Sequence, residues 1–269
     1  MCSNDKIELS PEVQNLRNRC SILRDELVEL FTEKDHLLNT VAGNIQAQYA
    51  VTIGAKELEA LTLDVAVRKL KATIENIQAI ENQGRKANLE QIEAHVEEEL
   101  QQWNQKVDKM LNEINAGESR LNNLMTEESS KELQKLYRSL AKKLHPDINP
   151  DLKPEYKAIW ARVQNAYKSG DLQELRALQL TVDDIPEEVE ETNQLDQLQN
   201  HYEKLKVQVN NLIKRIDMIK SNLPFTLEEK LDDPEWVEQQ TNKCNERILG
   251  FIAEKEHLEK WLSHWKGKK

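Results

Sequence analysis

Of the side chains that could do chemistry in this sequence, the run His145-Pro146-Asp147 stands in the most unusual company. It directly follows KELQKLYRSLAKKL, residues 131–144, in which Lys131, Lys135, Arg138 and Lys142 recur at spacings of four, three and four. On a helix that spacing makes one basic stripe. Lys143 adds to it, so five positive charges stand against Glu132 alone, in a chain whose formal net charge is −11. Proline disfavours helical geometry in the residue before it, so the helix must stop near His145 and the tripeptide must lie in a loop. The C-terminal end of a helix favours positive charge, which suits Lys142, Lys143 and a protonated His145. Taken alone, the tripeptide would be a helix stop and a turn, and the stripe a solvated face.

The remaining candidates are weaker. His36, His95, His201, His257 and His264 all lie inside helical patterns and read as surface or seam residues. His95 and Glu99 share a helical face, as can His257 and His264, but two ligands without a third make no metal site. Glu97-Glu98-Glu99 reads as solvation. Nothing resembles a nucleophile elbow, a phosphate-binding loop or a dinucleotide fingerprint. The expectation is a protein that is not an enzyme and carries neither cofactor nor metal.

The elements around the tripeptide are well marked. Leu133, Leu136, Tyr137, Leu140, Ala141 and Leu144 recur at i, i+3, i+4, i+7, i+8 and i+11, one buried stripe of an amphipathic helix. A second helix is expected from about Pro154, with Tyr156, Ile159, Trp160, Val163 and Tyr167 on one face and Gly170 as its stop. Asp171 can cap a short third helix carrying Leu172, Leu175, Leu178 and Leu180.

In this context LYRSLAKKLHPDINP resembles the second helix and loop of the J domain of DnaJ co-chaperones. Tyr137, Arg138, Leu140, Ala141, Lys143, His145, Pro146, Asp147, Asn149 and Pro150 match the family's pattern, and IWARVQNAY, residues 159–167, resembles its third helix. The likeness covers about residues 131–180. It implies that His145, Pro146 and Asp147 form a loop that docks on a DnaK-type ATPase chaperone and stimulates its ATP hydrolysis. Arg138, Lys142 and Lys143, with Lys135 at the edge, would steer an acidic partner surface. Tyr137, Leu140, Trp160, Val163 and Tyr167 would form the core of this unit. Two departures stand out. No first-helix signature precedes residue 131, so Leu121 to Met125, or the end of the preceding long helix, is expected to take its place. The basic residue that commonly follows the tripeptide is Ile148 here.

The rest of the chain reads as long helices. Charged residues make up 32% and aromatic ones 5% of the 269, with seven glycines and seven prolines, and the mean hydropathy is −0.74. That composition suits amphipathic helices and coiled coils rather than one large core. A seam runs from Val13 to Val41, with Ser10 as cap and Pro11 at the first helical position. Gly43 and Gly54 are expected to bend or break the helix between them. Further seams run from Leu63 to Ile77, ending at Asn82-Gln83-Gly84, and from Leu89 to Ile114, ending near Gly117. Leu195 to Ile219 and Cys244 to Trp265 form two arms around Pro224, each roughly 40 Å long at 1.5 Å per residue, expected to fold on each other as an antiparallel hairpin.

The expected architecture is all-α and elongated: a coiled-coil region over 1–126, a small J-domain-like unit over 127–182, and the hairpin over 183–269. The seams offer surfaces for a client protein or for a second copy of the chain. Cys2, Cys20 and Cys244 are odd in number and widely spaced, and the N-terminus has no apolar run, so the expected location is the cytoplasm. No stretch approaches the ~18 apolar residues of a membrane helix. An acidic chain disfavours nucleic acid and anionic lipid, the basic helix apart. Beside the co-chaperone reading stands a structural or scaffolding protein whose J-like unit no longer stimulates a chaperone.

Overall fold

The computed structural model describes residues 10–149, 152–182 and 194–267. All regular structure among these is helical. The Ser10 hydroxyl accepts a hydrogen bond from the Val13 amide at 3.3 Å, and Pro11 opens α1, Pro11–His36. Ten more α-helices succeed it: α2, Ala42–Tyr49; α3, Ala55–Asn82; α4, Leu89–Glu99; α5, Gln101–Asn122; α6, Glu127–Leu144; α7, Pro154–Ser169; α8, Leu172–Val182; α9, Leu195–Lys220; α10, Glu228–Leu231; and α11, Pro234–Lys266 among the described residues. The chain divides into two units, and each is built from two separate stretches.

The first unit comprises Met1–Gly43 and Leu124–Thr226. Here α1 and α9, each 26 residues long, lie along one another. Helix α6 packs against α1, α7 and α8. Val13, Leu16, Cys20 and Leu27 of α1 share one apolar core with Leu198, Leu205, Val209 and Leu212 of α9 and with the buried stripe of α6. The expected hairpin over 183–269 is therefore not what forms, because the first arm takes α1 as its partner. A heptad seam specifies an apolar stripe of a certain length, and α1 offers a stripe of matching length.

The second unit comprises Asn44–Asn123 and Leu227–Lys269. Helix α11 lies along α3, which also carries α4 and α5. Ile77, Ile92, Val96, Leu262 and Trp265 are buried together. The Trp265 indole donates to Glu81 at 2.8 Å. The expected region over 1–126 is thus divided between the units.

Three local expectations change as well. Gly43 and Gly54 do not break the chain; instead π-helical turns occur at Leu37–Val41 and Ala50–Gly54. The run from Leu89 to Ile114 is interrupted at Leu100, where ψ moves to 2° and α5 starts afresh. Gly117 does not end α5. It lies close against α2, where an added Cβ would stand 3.2 Å from the Ala47 Cα and carbonyl oxygen. By contrast α3 stops where expected, at Asn82, with Gly84 in the left-handed region at φ +71°.

Candidate functional site

The loop carrying His145-Pro146-Asp147 is held from both sides. On the N-terminal side, Thr126 caps α6 by accepting from the Ser129 amide at 3.2 Å. Glu127 and Glu128 occupy the first turn of α6, and Lys142 and Lys143 the last, complementing the helix dipole at both ends. Leu133, Leu136, Tyr137, Leu140, Ala141 and Leu144 are all buried. The helix stops at His145, whose ψ of 124° is extended, as the following proline requires.

The loop itself is a compact turn. The His145 carbonyl accepts from the Ile148 amide at 3.1 Å and the Asn149 amide at 2.9 Å. The Asn149 side chain donates to the Lys142 carbonyl at 3.0 Å, satisfying one of the last carbonyls of α6. Ile148, in the place of the family's basic residue, is buried in the core of the unit. Beyond the loop, Pro154 opens α7, and Gly170 at φ +71° closes it. Asp171 accepts from the Glu174 amide at 2.9 Å and so caps α8. Val182 closes the buried face of α8, whereas Leu180, expected there, is 76% exposed.

A column of rings supports the turn. Tyr137 stacks on Tyr167 with centroids 4.0 Å apart and leans on Trp160 at 5.4 Å. Trp160 meets the His145 imidazole edge-on at 5.1 Å. Leu140 and Val163 are buried beside them. All five expected core residues thus lie inside the unit.

The helix lying on α6 is α1, about 100 residues upstream. Leu121 to Met125 do not take that place: Leu124 and Met125 are exposed. Residues of α1 contact five of the residues the sequence singled out: Tyr137, Arg138, Lys142, His145 and Tyr167. Phe31 stacks on His145 with centroids 4.0 Å apart, which leaves the histidine only 6% exposed. Asp35 accepts from the Tyr137 hydroxyl at 2.5 Å. His36 lies 3.3 Å from the Tyr167 hydroxyl and 3.2 Å from the Gln134 amide. Glu29 pairs with Arg138 at 2.5 Å, and Asp25 pairs with Lys142 at 3.1 Å.

His145 is neutral rather than protonated. The Asp147 amide donates to its Nδ1 at 3.1 Å, so that nitrogen is an acceptor. Burial holds its pKa down to about 4; Asp147 and Asp35 pull it upward and Lys34 pushes it down. The tendency of the helix terminus to favour a charged imidazole is outweighed by the loss of water around it. Burial likewise lowers the His36 pKa. Burial, with the nearby Asp35 charge, holds Tyr137 and Tyr167 well above the ordinary phenol range.

The cations divide by role. Lys143 donates to the Val182 carbonyl at 3.3 Å, tying the end of α6 to the end of α8. Lys131 pairs with Glu127 one turn earlier on its own helix. Lys135 and Asp147 are exposed, Pro146 half-buried. The motif and its flanking helices gave no indication that Asp25, Glu29, Phe31, Asp35 and His36 belong to this site. One signal was present: Asp25 and Glu29 are four apart, as are Arg138 and Lys142, with opposite charges.

The DnaJ domain family model matches residues 123–172. The match begins just ahead of α6, takes in the loop and α7, and ends as α8 begins. A search of curated proteins and a search of solved structures each returned no match. This segment is therefore similar to a J domain, a class whose general partner is an Hsp70-type chaperone.

Proposed function

We propose that the protein is a co-chaperone that docks on a DnaK-type ATPase chaperone through His145-Pro146-Asp147 and the basic edge of α6, and stimulates ATP hydrolysis by that chaperone. The observation that carries this reading is the tripeptide in a tight turn between α6 and α7, inside a segment matching the DnaJ domain. In this reading Asp147 and Pro146 present the loop. Lys135, Arg138 and Lys142 steer an acidic partner surface, and Lys143 supports the turn from behind. The chain itself makes and breaks no bond, needs no cofactor, and acts in the cytoplasm. The long seams hold a client protein or a second copy of the chain.

The test is single-turnover ATP hydrolysis by a DnaK-type chaperone from the same organism, with wild-type protein or His145→Gln. Stimulation by the wild type that the variant loses is the expected result. A folded wild type without effect, on a chaperone that responds to another J-domain protein, sinks the reading.

One observation favours a second reading, a scaffolding protein that has given up stimulation: Phe31 covers His145, and Glu29 and Asp25 hold two of the basic residues.

A further inference from the structure

A docking face needs accessible cations and an accessible loop; in this unit α1 pairs with two of the cations and covers the His145 ring, while Lys135 and Asp147 stay exposed. Glu29 and Asp25 are four residues apart on α1, as Arg138 and Lys142 are on α6, so both ion pairs close at once. The lower-numbered cation meets the higher-numbered acid, which is the antiparallel sense. The same stretch of α1 places Phe31 over the His145 ring and aims Asp35 at the Tyr137 hydroxyl.

Helix α9 shares with α1 an apolar core that runs from Val13 through Leu27 and Val28 to Phe31, and it also holds α1 by the Arg19–Tyr202 hydrogen bond and the Lys220–Glu33 pair. Between residues 25–36 and helices α6 and α7 stand two ion pairs, three hydrogen-bonding sites and a ring stack, beside the buried side chains of that core. The carboxylate-bearing side chains of Asp25 and Glu29 are about half exposed, at 55% and 50%. Exposed pairs of this kind are weak and exchangeable, and another acidic surface can replace them.

We infer that residues 25–36 of α1 are an internal competitor for the chaperone: their carboxylates stand in for the acidic partner surface on Arg138 and Lys142, and Phe31 shields the His145 loop. Docking then requires the contacts of Asp25, Glu29 and Phe31 with α6 and its loop to open, while α9 keeps α1 in place through the shared core and the Lys220–Glu33 pair. The inference rests on the docking reading and names the regulation of that same face. It also reconciles the matched loop with the burial of its histidine.

The experiment is the same single-turnover assay on the full chain, run as a concentration series with the wild type and with the double variant Asp25→Asn, Glu29→Gln. Both substitutions remove charge at exposed positions and nearly conserve shape. The double variant should reach half-maximal stimulation at a concentration roughly 5-fold lower, the order expected for losing two exposed ion pairs. Adding His145→Gln to it should abolish stimulation. In parallel, amide hydrogen exchange of the wild type should quicken over residues 25–36 when the chaperone is bound. Superimposable curves for wild type and double variant, with residues 25–36 equally protected free and bound, would overturn the competitor while leaving docking intact. No stimulation by either protein, on a chaperone active with another J-domain protein, removes docking and the competitor together.

Discussion

His145 is the residue on which the chemistry of the unit turns, and it is neutral in the folded state. An unfolded chain would hold this imidazole at an ordinary pKa near 6.5, against about 4 when folded. Between those values the folded state binds fewer protons than the unfolded one. Stability is then fully present above pH 6.5 and is lost as pH falls toward 4. A shift of this size corresponds to at most about 3 kcal/mol. Denaturant unfolding at pH 7 and pH 4.5 should show wild type losing more stability on acidification than His145→Gln, with the difference assigned to this one group. Equal losses in the two proteins would mean the imidazole is no more buried than in the unfolded chain. The two proteins differ at this one position, which is why the comparison between them carries the result. The sequence indicated the position of His145 but not its charge state. Proline and the basic stripe are local signals, whereas burial under Phe31 comes from a helix about 100 residues away. The same distance explains why His36 read as an ordinary seam residue.

Helices α6, α7 and α8 were legible because their ends carry markers: the proline after His145, Pro154 at the start of α7, Gly170 at its end, Asp171 as a cap. The seams were legible as seams, yet their partners were not. An apolar stripe fixes which face of a helix is buried and says nothing of what buries it. The two π-helical turns went unseen because an extra residue in a turn leaves no compositional trace. Gly117 shows how one glycine supports two interpretations. Read as a helix stop it would tolerate substitution; as the contact with Ala47 it would not. Replacing it with alanine puts a methyl group 3.2 Å from backbone atoms, which cannot move aside as a side chain can. The Gly117→Ala variant should therefore lose about 1–2 kcal/mol, although alanine is the better helix former. Thermal or denaturant unfolding measures this, and an increase in stability would show that α5 can shift away from α2.

The molecule is assembled as two units with separate cores, the first around α1, α6 and α9 and the second around α3 and α11. Truncating Leu205 to alanine removes buried apolar volume from the first core, and truncating Val96 removes it from the second. Losses of about 2–4 kcal/mol are expected for the leucine and somewhat less for the valine. Site-resolved hydrogen exchange should find each loss concentrated in its own unit. Leu205→Ala should quicken exchange in α1 and α6, and Val96→Ala in α3 and α11. If either change spread evenly over both, the two cores would be one cooperative system.

The crossed connectivity also sets an order of events during synthesis. Helices α6 to α8 leave the ribosome with α1 already made, but α9 begins only after another dozen residues and the second unit closes only with α11, at Lys266. Until α9 arrives, the apolar face of α1 that it covers has no partner. Each unit joins stretches of chain far apart in sequence, an arrangement that folds slowly compared with local helical hairpins. Nascent chains of this protein should thus expose unpaired helix faces for longer than their helical content alone suggests, and these are the kind of surface that chaperones engage.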